Sequence, residues 1–354
     1  MGINDMTGME RVLAALGHRE PDRVPLMLLL SLYGAKECGV PIRDYFGDPA
    51  LVAHTQVAMC RKYRNDVLYG FQYAAVEMQA WGGDVIWYDD GPPNAAAPVL
   101  SGEADIRRLA VPAVSAHPAT GRVLEAIRRM KASVGTGMPI VGVVMSPFSL
   151  PVMQMGFEAY LRLLYRQPEL FDRLMEVNAA FCIQWANAQL DAGATAICWF
   201  DPLASPTIIE RATWLRTGYR VARKTMPLIR GPVAMHLASG RVLPVLEDIV
   251  SLRPAMVGFS AEDSPAAMKA LAAQRVSLLG NLNALDMVRW TPDQVEERIK
   301  ALIGSAARNG GFVLSDQHGE IPWQVPEQTL LAISDTIDKW GRYPLDWLRD
   351  THEA

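Results

Sequence analysis

From residue 140 onward, short apolar runs and helical stretches take turns without a break. Strand-like runs fall at 140–144, 194–200, 233–235, 256–259, 276–279 and 312–314. Helical patterns fill the intervals at 157–165, 168–192, 213–224, 242–251, 265–273 and 292–309, and one more closes the chain at 327–340. In the stretch 168–192, Leu170, Leu174, Val177, Phe181 and Trp185 recur at helical spacing. The strand-like runs are apolar throughout and do not alternate, as expected of strands buried on both faces of a parallel sheet. Regular alternation of this kind defines an α/β fold. No GxGxxG or GxxxxGK[ST] follows any of the runs, so the two common nucleotide folds lack their main sequence support. Polar residues instead gather directly after each run. The expectation is a single (β/α)8 TIM barrel over residues 1–354, with an N-terminal extension and irregular loops at the barrel mouth.

The first third of the chain is less regular. Thr7 and Glu10 form a capping-box pattern ahead of a helix reaching His18. An apolar segment spans 26–32, a helix 49–64, and a probable strand 66–69. Residues 84–88 read as a strand or hairpin leading into a Gly-, Pro- and Asp-rich excursion.

Composition limits the function. The 354 residues carry a net charge of −4 with no basic block, which gives no footprint for nucleic acid. Cys38, Cys60, Cys182 and Cys198 are far apart with no CxxC, as expected of reduced thiols. The N-terminus has no signal-peptide apolar region, and no apolar run is long enough to span a membrane. A cytoplasmic protein is expected.

In a parallel barrel the C-terminal strand ends carry the chemistry. Here they bring Asp201, His236, Glu262, Asn281 and the group Asp316, His318 and Glu320 toward one mouth. His236, Glu262 and His318 form a two-histidine, one-carboxylate set suited to zinc or another divalent metal. Asp316 or Glu320 could replace Glu262, or hold a histidine ring from behind. A single strand-end histidine is more often a hydrogen-bonded structural residue; two of them, with carboxylates near, shift the balance. Asp201 either caps its turn or faces the pocket, and Asn281 either shapes a turn or donates to a ligand. Asp201, Asn281 and Glu320 are the catalytic candidates. Trp81, Trp87, Trp199 and Trp323 lie near strand ends or loops and offer apolar lining.

Several segments resemble the uroporphyrinogen decarboxylase superfamily over nearly the whole chain. They are residues 10–25 (ERVLAALGHREPDRVP), 188–194 (AQLDAGA), 201–206 (DPLASP), 279–281 (LGN) and 311–315 (GFVLS). The resemblance implies the barrel and leaves the activity open between two branches. True decarboxylases grip their substrate's carboxylates with an N-terminal arginine segment; here residues 28–34 read LLLSLYG, with no arginine. The corrinoid-dependent methyltransferases, similar to the methylcobamide:coenzyme M enzymes, hold zinc through a His-x-Cys motif and a later cysteine. By that resemblance His236 matches the family histidine, Ala238 replaces the cysteine, and the second cysteine falls at or beside His318. Glu262 matches an acidic position of the family, with Ala261 beside it. Loss of both thiolates leaves nitrogen and oxygen donors, which suit a substrate other than a thiol. The implied function is metal-dependent methyl transfer between a small methylated molecule and a corrinoid on a separate protein. No Asp-x-His-x-x-Gly corrinoid motif is present. A metal-free lyase acting on a different substrate is the alternative, and a non-catalytic binding partner a third reading. Monomer and homodimer both remain open.

Overall fold

The computed structural model describes residues 5–114 and 117–348. Eight parallel strands form one sheet: β1 (Leu26–Met27), β2 (Leu68–Tyr69), β5 (Ile140–Met145), β6 (Ala196–Phe200), β7 (Val233–His236), β8 (Met256–Gly258), β9 (Ser277–Leu282) and β10 (Phe312–Asp316). Their spatial order is β1-β10-β9-β8-β7-β6-β5-β2. Two further short strands, β3 (Val85–Ile86) and β4 (Asn94–Ala95), make a separate antiparallel hairpin. Between β1 and β2 the sheet all but closes. The Asp66 N–H donates to the Leu26 carbonyl at 2.8 Å, and the Leu26 N–H donates to Asp66 Oδ2 at 2.8 Å. Asp66 is also held by the guanidinium groups of Arg11 and Arg23, and Arg11 pairs with Asp22 at 2.6 Å. This buried network seals the seam with charge. The result is a (β/α)8 barrel.

Alternate residues of each strand point inward. Met27, Leu29, Val67, Tyr69, Val143, Cys198, Leu279 and Val313 form the inner core. The helix Gly8–Leu16 covers the N-terminal end and contributes Val12 to that core. Its Thr7–Glu10 capping box is formed as the sequence predicts. A narrow apolar cavity of about 100 Å³ runs up the interior toward His236. The outer layer joins strands to helices such as Pro168–Ala192 and Glu327–Trp340, both with the bounds read from sequence. No helix among the described residues is long and apolar enough to cross a membrane.

Four differences from the sequence reading matter. The strand read at 276–279 runs on through Leu282, because the polar Asn281 still pairs with Ser315 of β10. The stretch 213–224 is two helices, Arg211–Arg216 and Gly218–Thr225, broken at Thr217. The stretch 242–251 begins as a 3-10 turn, Leu243–Val245, before the helix Leu246–Ser251. Only Leu26 and Met27 of the segment 26–32 pair in the sheet, since the Leu28 N–H is taken by the Asn65 side chain at 2.9 Å.

Candidate active site

His236 is the last residue of β7 and lies opposite Phe200 of β6 in the sheet. Its ring stacks on Phe200 with centroids 5.5 Å apart. The other side of the ring abuts β8 at Gly258, where a Cβ would fall 2.6 Å from the imidazole. Glycine is therefore what gives the ring its place. Phe200 is covered in turn by Gly319, whose φ of +91° and lack of Cβ let the loop after β10 close over it. The Ala238 N–H donates to His236 Nδ1 at 3.1 Å, which leaves the proton of the neutral ring on Nε2. Nε2 is buried and makes no well-formed hydrogen bond among the described residues, with the Asp316 carbonyl as its neighbouring acceptor. Burial, reinforced by His318, pushes the His236 pKa down to about 4, and the Asp316 carbonyl opposes this. The imidazole is neutral at pH 7.

The loop after β10 supplies the remaining groups. Asp316 is fully buried, and its Oδ2 accepts the N–H groups of His318 (2.8 Å) and Gly319 (3.0 Å). Its Oδ1 has no partner. Burial raises its pKa to about 7 against those two hydrogen bonds. Glu320 accepts the Leu32 N–H at 2.9 Å and the Ser31 hydroxyl. Burial lifts its pKa to about 7 as well; the Ser31 and Leu32 bonds oppose the rise and Asp316 adds to it. Tyr69 donates to the Gly319 carbonyl at 2.9 Å and so ties the loop to β2. The His318 ring is held on both sides. Nδ1 meets the Ser239 hydroxyl; Nε2 lies 3.1 Å from Asn283 Oδ1 and 3.3 Å from Gln317 Nε2. Burial lowers the His318 pKa, with Asp286 opposing.

Glu320 and His318 look into an open cleft of about 550 Å³ between this loop and the segment 88–92. Leu32, Tyr88, Leu285 and Trp323 give it apolar walls. Gln324 Nε2 donates to the Asp90 carbonyl at 3.0 Å and pins the far wall. Among the described residues no lysine or arginine lines the cleft, and the Lys36 ammonium is held by the Trp323 carbonyl at 2.6 Å. A protonated carboxyl beside a partly aromatic pocket can give a proton to a leaving heteroatom, or take one when ionised.

The structure thus gathers His236, Asp316, His318 and Glu320 at the mouth, but not the other candidates. Asp201 is buried beneath it; its Oδ1 accepts the hydroxyls of Ser146 (2.7 Å) and Ser149 (2.6 Å). It braces the loop after β5. Asn281 and the exposed Glu262 line a different cavity. Among the described residues no three His, Cys, Asp or Glu side chains are placed to share a metal ion. His318 would have to give up Ser239 or Asn283 to ligate. Ala238 stands where a thiolate would be needed. The donors present do not fit a zinc centre built from His236, Glu262, His318 and Asp316, and no step below runs through a metal.

Sequence reasoning missed Ser31, Tyr69, Phe200 and Gly258. Ser31 had a signal, being the one polar residue inside the apolar stretch 26–32. The others look like ordinary strand residues.

An eight-stranded parallel barrel with its polar groups at the C-terminal mouth defines the class. The uroporphyrinogen decarboxylase (URO-D) family matches residues 7–340, and the chain belongs to that family. The methylcobamide:CoM methyltransferase MtaA of Methanosarcina barkeri (strain Fusaro / DSM 804) is 27% identical over 221 residues, 62% of this chain. That match spans 63% of MtaA, less than two thirds of its length. A uroporphyrinogen decarboxylase of Protochlamydia amoebophila is 24% identical over 345 residues, covering 93% of this chain and 91% of the relative. A solved methyltransferase from Methanosarcina mazei superposes with a TM-score of 0.83 at 22% identity, covering 94% of this chain and 99% of its own. That likeness establishes the fold.

Proposed function

We propose that this chain is a methyltransferase that moves a methyl group between a small methylated molecule and a corrinoid carried by a separate protein. The observation that carries the reading is the cleft: a Glu320 carboxyl with a pKa of about 7, in apolar walls without a cation. Uroporphyrinogen, with its many carboxylates, would meet Asp90 and Glu320 in that lining and no lysine or arginine. A neutral molecule bearing an O-methyl or similar group on an aromatic or apolar body suits it. MtaA, whose name carries the same chemistry, is among the relatives.

The corrinoid, when bound, supplies the centre that accepts or gives the methyl group. This chain's residues do the rest. Tyr88, Leu285 and Trp323 orient the apolar body. As the bond from methyl carbon to heteroatom breaks, the heteroatom keeps the bonding pair and takes the proton from Glu320 Oε. In the reverse direction the Glu320 carboxylate removes the proton from the acceptor's hydroxyl or thiol. Ser31 and the Leu32 N–H hold the carboxyl in both states. The neutral His236 ring, fixed by Ala238, supports the loop from below. The open mouth, with exposed Tyr88 and Leu285 on its rim, leaves room for a flat group presented by a partner. All four cysteines are free, which suits the cytoplasm.

A dedicated metal remains part of the wider proposal only if His318 rearranges. A decarboxylase-like lyase on a different substrate is the alternative that family membership favours. The test is spectroscopic. Reduced cobalamin and guaiacol (2-methoxyphenol) are mixed with the protein, and formation of methylcobalamin is followed. Methylcobalamin with catechol is run in parallel. Turnover in either direction supports methyl transfer. Silence in both, together with loss of carbon dioxide from a carboxylated pyrrole, would move the assignment to the lyase.

A further inference from the structure

Beside the cleft, on the other side of His318, lies a second cavity of about 530 Å³. It opens between the ends of β8 and β9 and the helix Pro292–Ala306, and nothing in the methyl-transfer reading uses it. Its lining is mixed. Leu282, Leu302 and Pro265 are apolar; Glu262 and Arg298 are charged. Neither charge is spent. Among the described residues the Glu262 carboxylate has no hydrogen bond or ion pair, and Arg298 has only the face of Trp290, 5.0 Å from the ring centroid. The two therefore face one cavity with opposite sign and do not neutralise each other. A free carboxylate and a free guanidinium around one volume call for the reverse pair of charges in the guest.

A further group points to a ligand. Asn281 is only 8% exposed and lines the cavity. Its Nδ2 donates to the Ser260 carbonyl at 2.8 Å, which fixes the amide, while its Oδ1 accepts nothing among the described residues and stays open to the cavity. An amide oxygen held in place with its lone pairs free can accept from a guest. Asp286 on the same wall is already engaged, its Oδ2 by Asn283 at 2.9 Å and its Oδ1 by Arg289 at 3.8 Å. Glu262 and Asn281 Oδ1 are thus the acceptors open to an ammonium, and Arg298 stands for a carboxylate.

We propose that this cavity binds a small zwitterion carrying an ammonium and a carboxylate on a short apolar body, as in a free amino acid. The ammonium is received by Glu262 and Asn281 Oδ1, and the carboxylate by Arg298 with its planar face kept on Trp290. The site is coupled to the cleft. Ser239, Asn283 and Gln317 line the cavity and are also the three side chains that hold the His318 ring. A guest that draws on any of them acts on His318, which lines the cleft.

Calorimetric titration of the whole protein tests this directly, and it needs neither a corrinoid nor turnover. The probes are L-norleucine and 6-aminohexanoate, which carry both charges at two spacings. Hexanoate and hexylamine carry one each. At least one zwitterion should bind ten-fold or more tightly than both single-charge probes. Glu262→Gln and Arg298→Gln should each weaken it at least ten-fold; both residues are exposed, so matched thermal melts verify that the fold is intact. Glu320→Gln should leave the affinity unchanged. The inference is overturned if hexanoate binds as well as the zwitterions, if neither zwitterion binds, or if the two variants bind like wild type. It is also overturned if Glu320→Gln abolishes binding, since the guest would then sit in the cleft. Methyl transfer without zwitterion binding would remove this inference alone.

Discussion

Glu320, on the loop after the last barrel strand, accepts the main-chain N–H of Leu32, just beyond the first strand, at 2.9 Å. That one contact brings the two ends of the barrel sequence together at the mouth. It places a carboxyl with a pKa near neutrality where substrate enters. Replacing it by glutamine keeps the acceptor oxygen and removes the transferable proton. Glu320→Gln should therefore lower kcat by roughly a hundred-fold or more, the usual weight of general acid–base catalysis, with little change in stability. The wild-type profile of kcat against pH should bend near 7, and the bend should vanish in the variant. A variant with normal kcat and an unchanged bend would take the proton role from Glu320.

Gly258 bears on His236 by its emptiness. A Cβ there would lie 2.6 Å from the imidazole, and the Phe200 ring stacks against that imidazole. Gly258→Ala should cost about 1–3 kcal/mol, as overpacked interiors do, measured by urea unfolding. It should also lower activity more than the equally small change Ala261→Gly, since Ala261 is exposed. An alanine variant of native stability would show that the ring has room to move.

The pH dependence of stability has a definite sign. Glu77 is buried, with one oxygen accepting the Met145 N–H at 2.9 Å, and burial raises its pKa to about 8. Asp316 and Glu320 are raised to about 7. For each, the folded state holds a proton that the unfolded chain gives up from about pH 4.5 or below. Their contribution is present in full in acid, declines as pH rises, and is gone once the folded pKa is passed. His236 works the other way: its folded pKa of about 4 means stability is lost as pH falls from 6.5 toward 4. Glu77→Gln should flatten the decline in stability between about pH 5 and 8, read from unfolding midpoints across pH. A variant with the wild-type slope would contradict a neutral Glu77 in the core.

The donor geometry predicts less than stoichiometric zinc in protein purified without chelator. Metal analysis of wild type, His236→Ala and His318→Ala decides this. Near-stoichiometric zinc in wild type, lost in both variants, would show instead that His318 leaves Ser239 and Asn283 to complete a two-histidine centre.

The barrel was legible because six of its eight strands are apolar runs set between helical stretches. The helix Pro168–Ala192 shows why: its apolar spacing, Pro168 at the start and Gly193 after the end leave one reading. β1 and β2 have two residues each, too few to carry a pattern. The site was half legible. Strand-end position found His236 and Asp316, but that rule does not say which way a side chain turns. Asp201 turns outward to two serines, and Asn281 turns to Ser260. Glu320 stood out in sequence only as one carboxylate of a polar loop. Its environment comes from Ser31, nearly three hundred residues earlier, and no local pattern reports such a contact.

The most direct measurement follows the methyl group itself. Guaiacol with a trideuteromethyl label is incubated with reduced cobalamin and the protein, and the cobalamin is analysed by mass spectrometry. Methyl transfer predicts labelled methylcobalamin and free catechol in equal amounts, formed with wild type and lost with Glu320→Gln. Unlabelled cobalamin after prolonged incubation, with unlabelled catechol in the reverse run against labelled methylcobalamin, would contradict it.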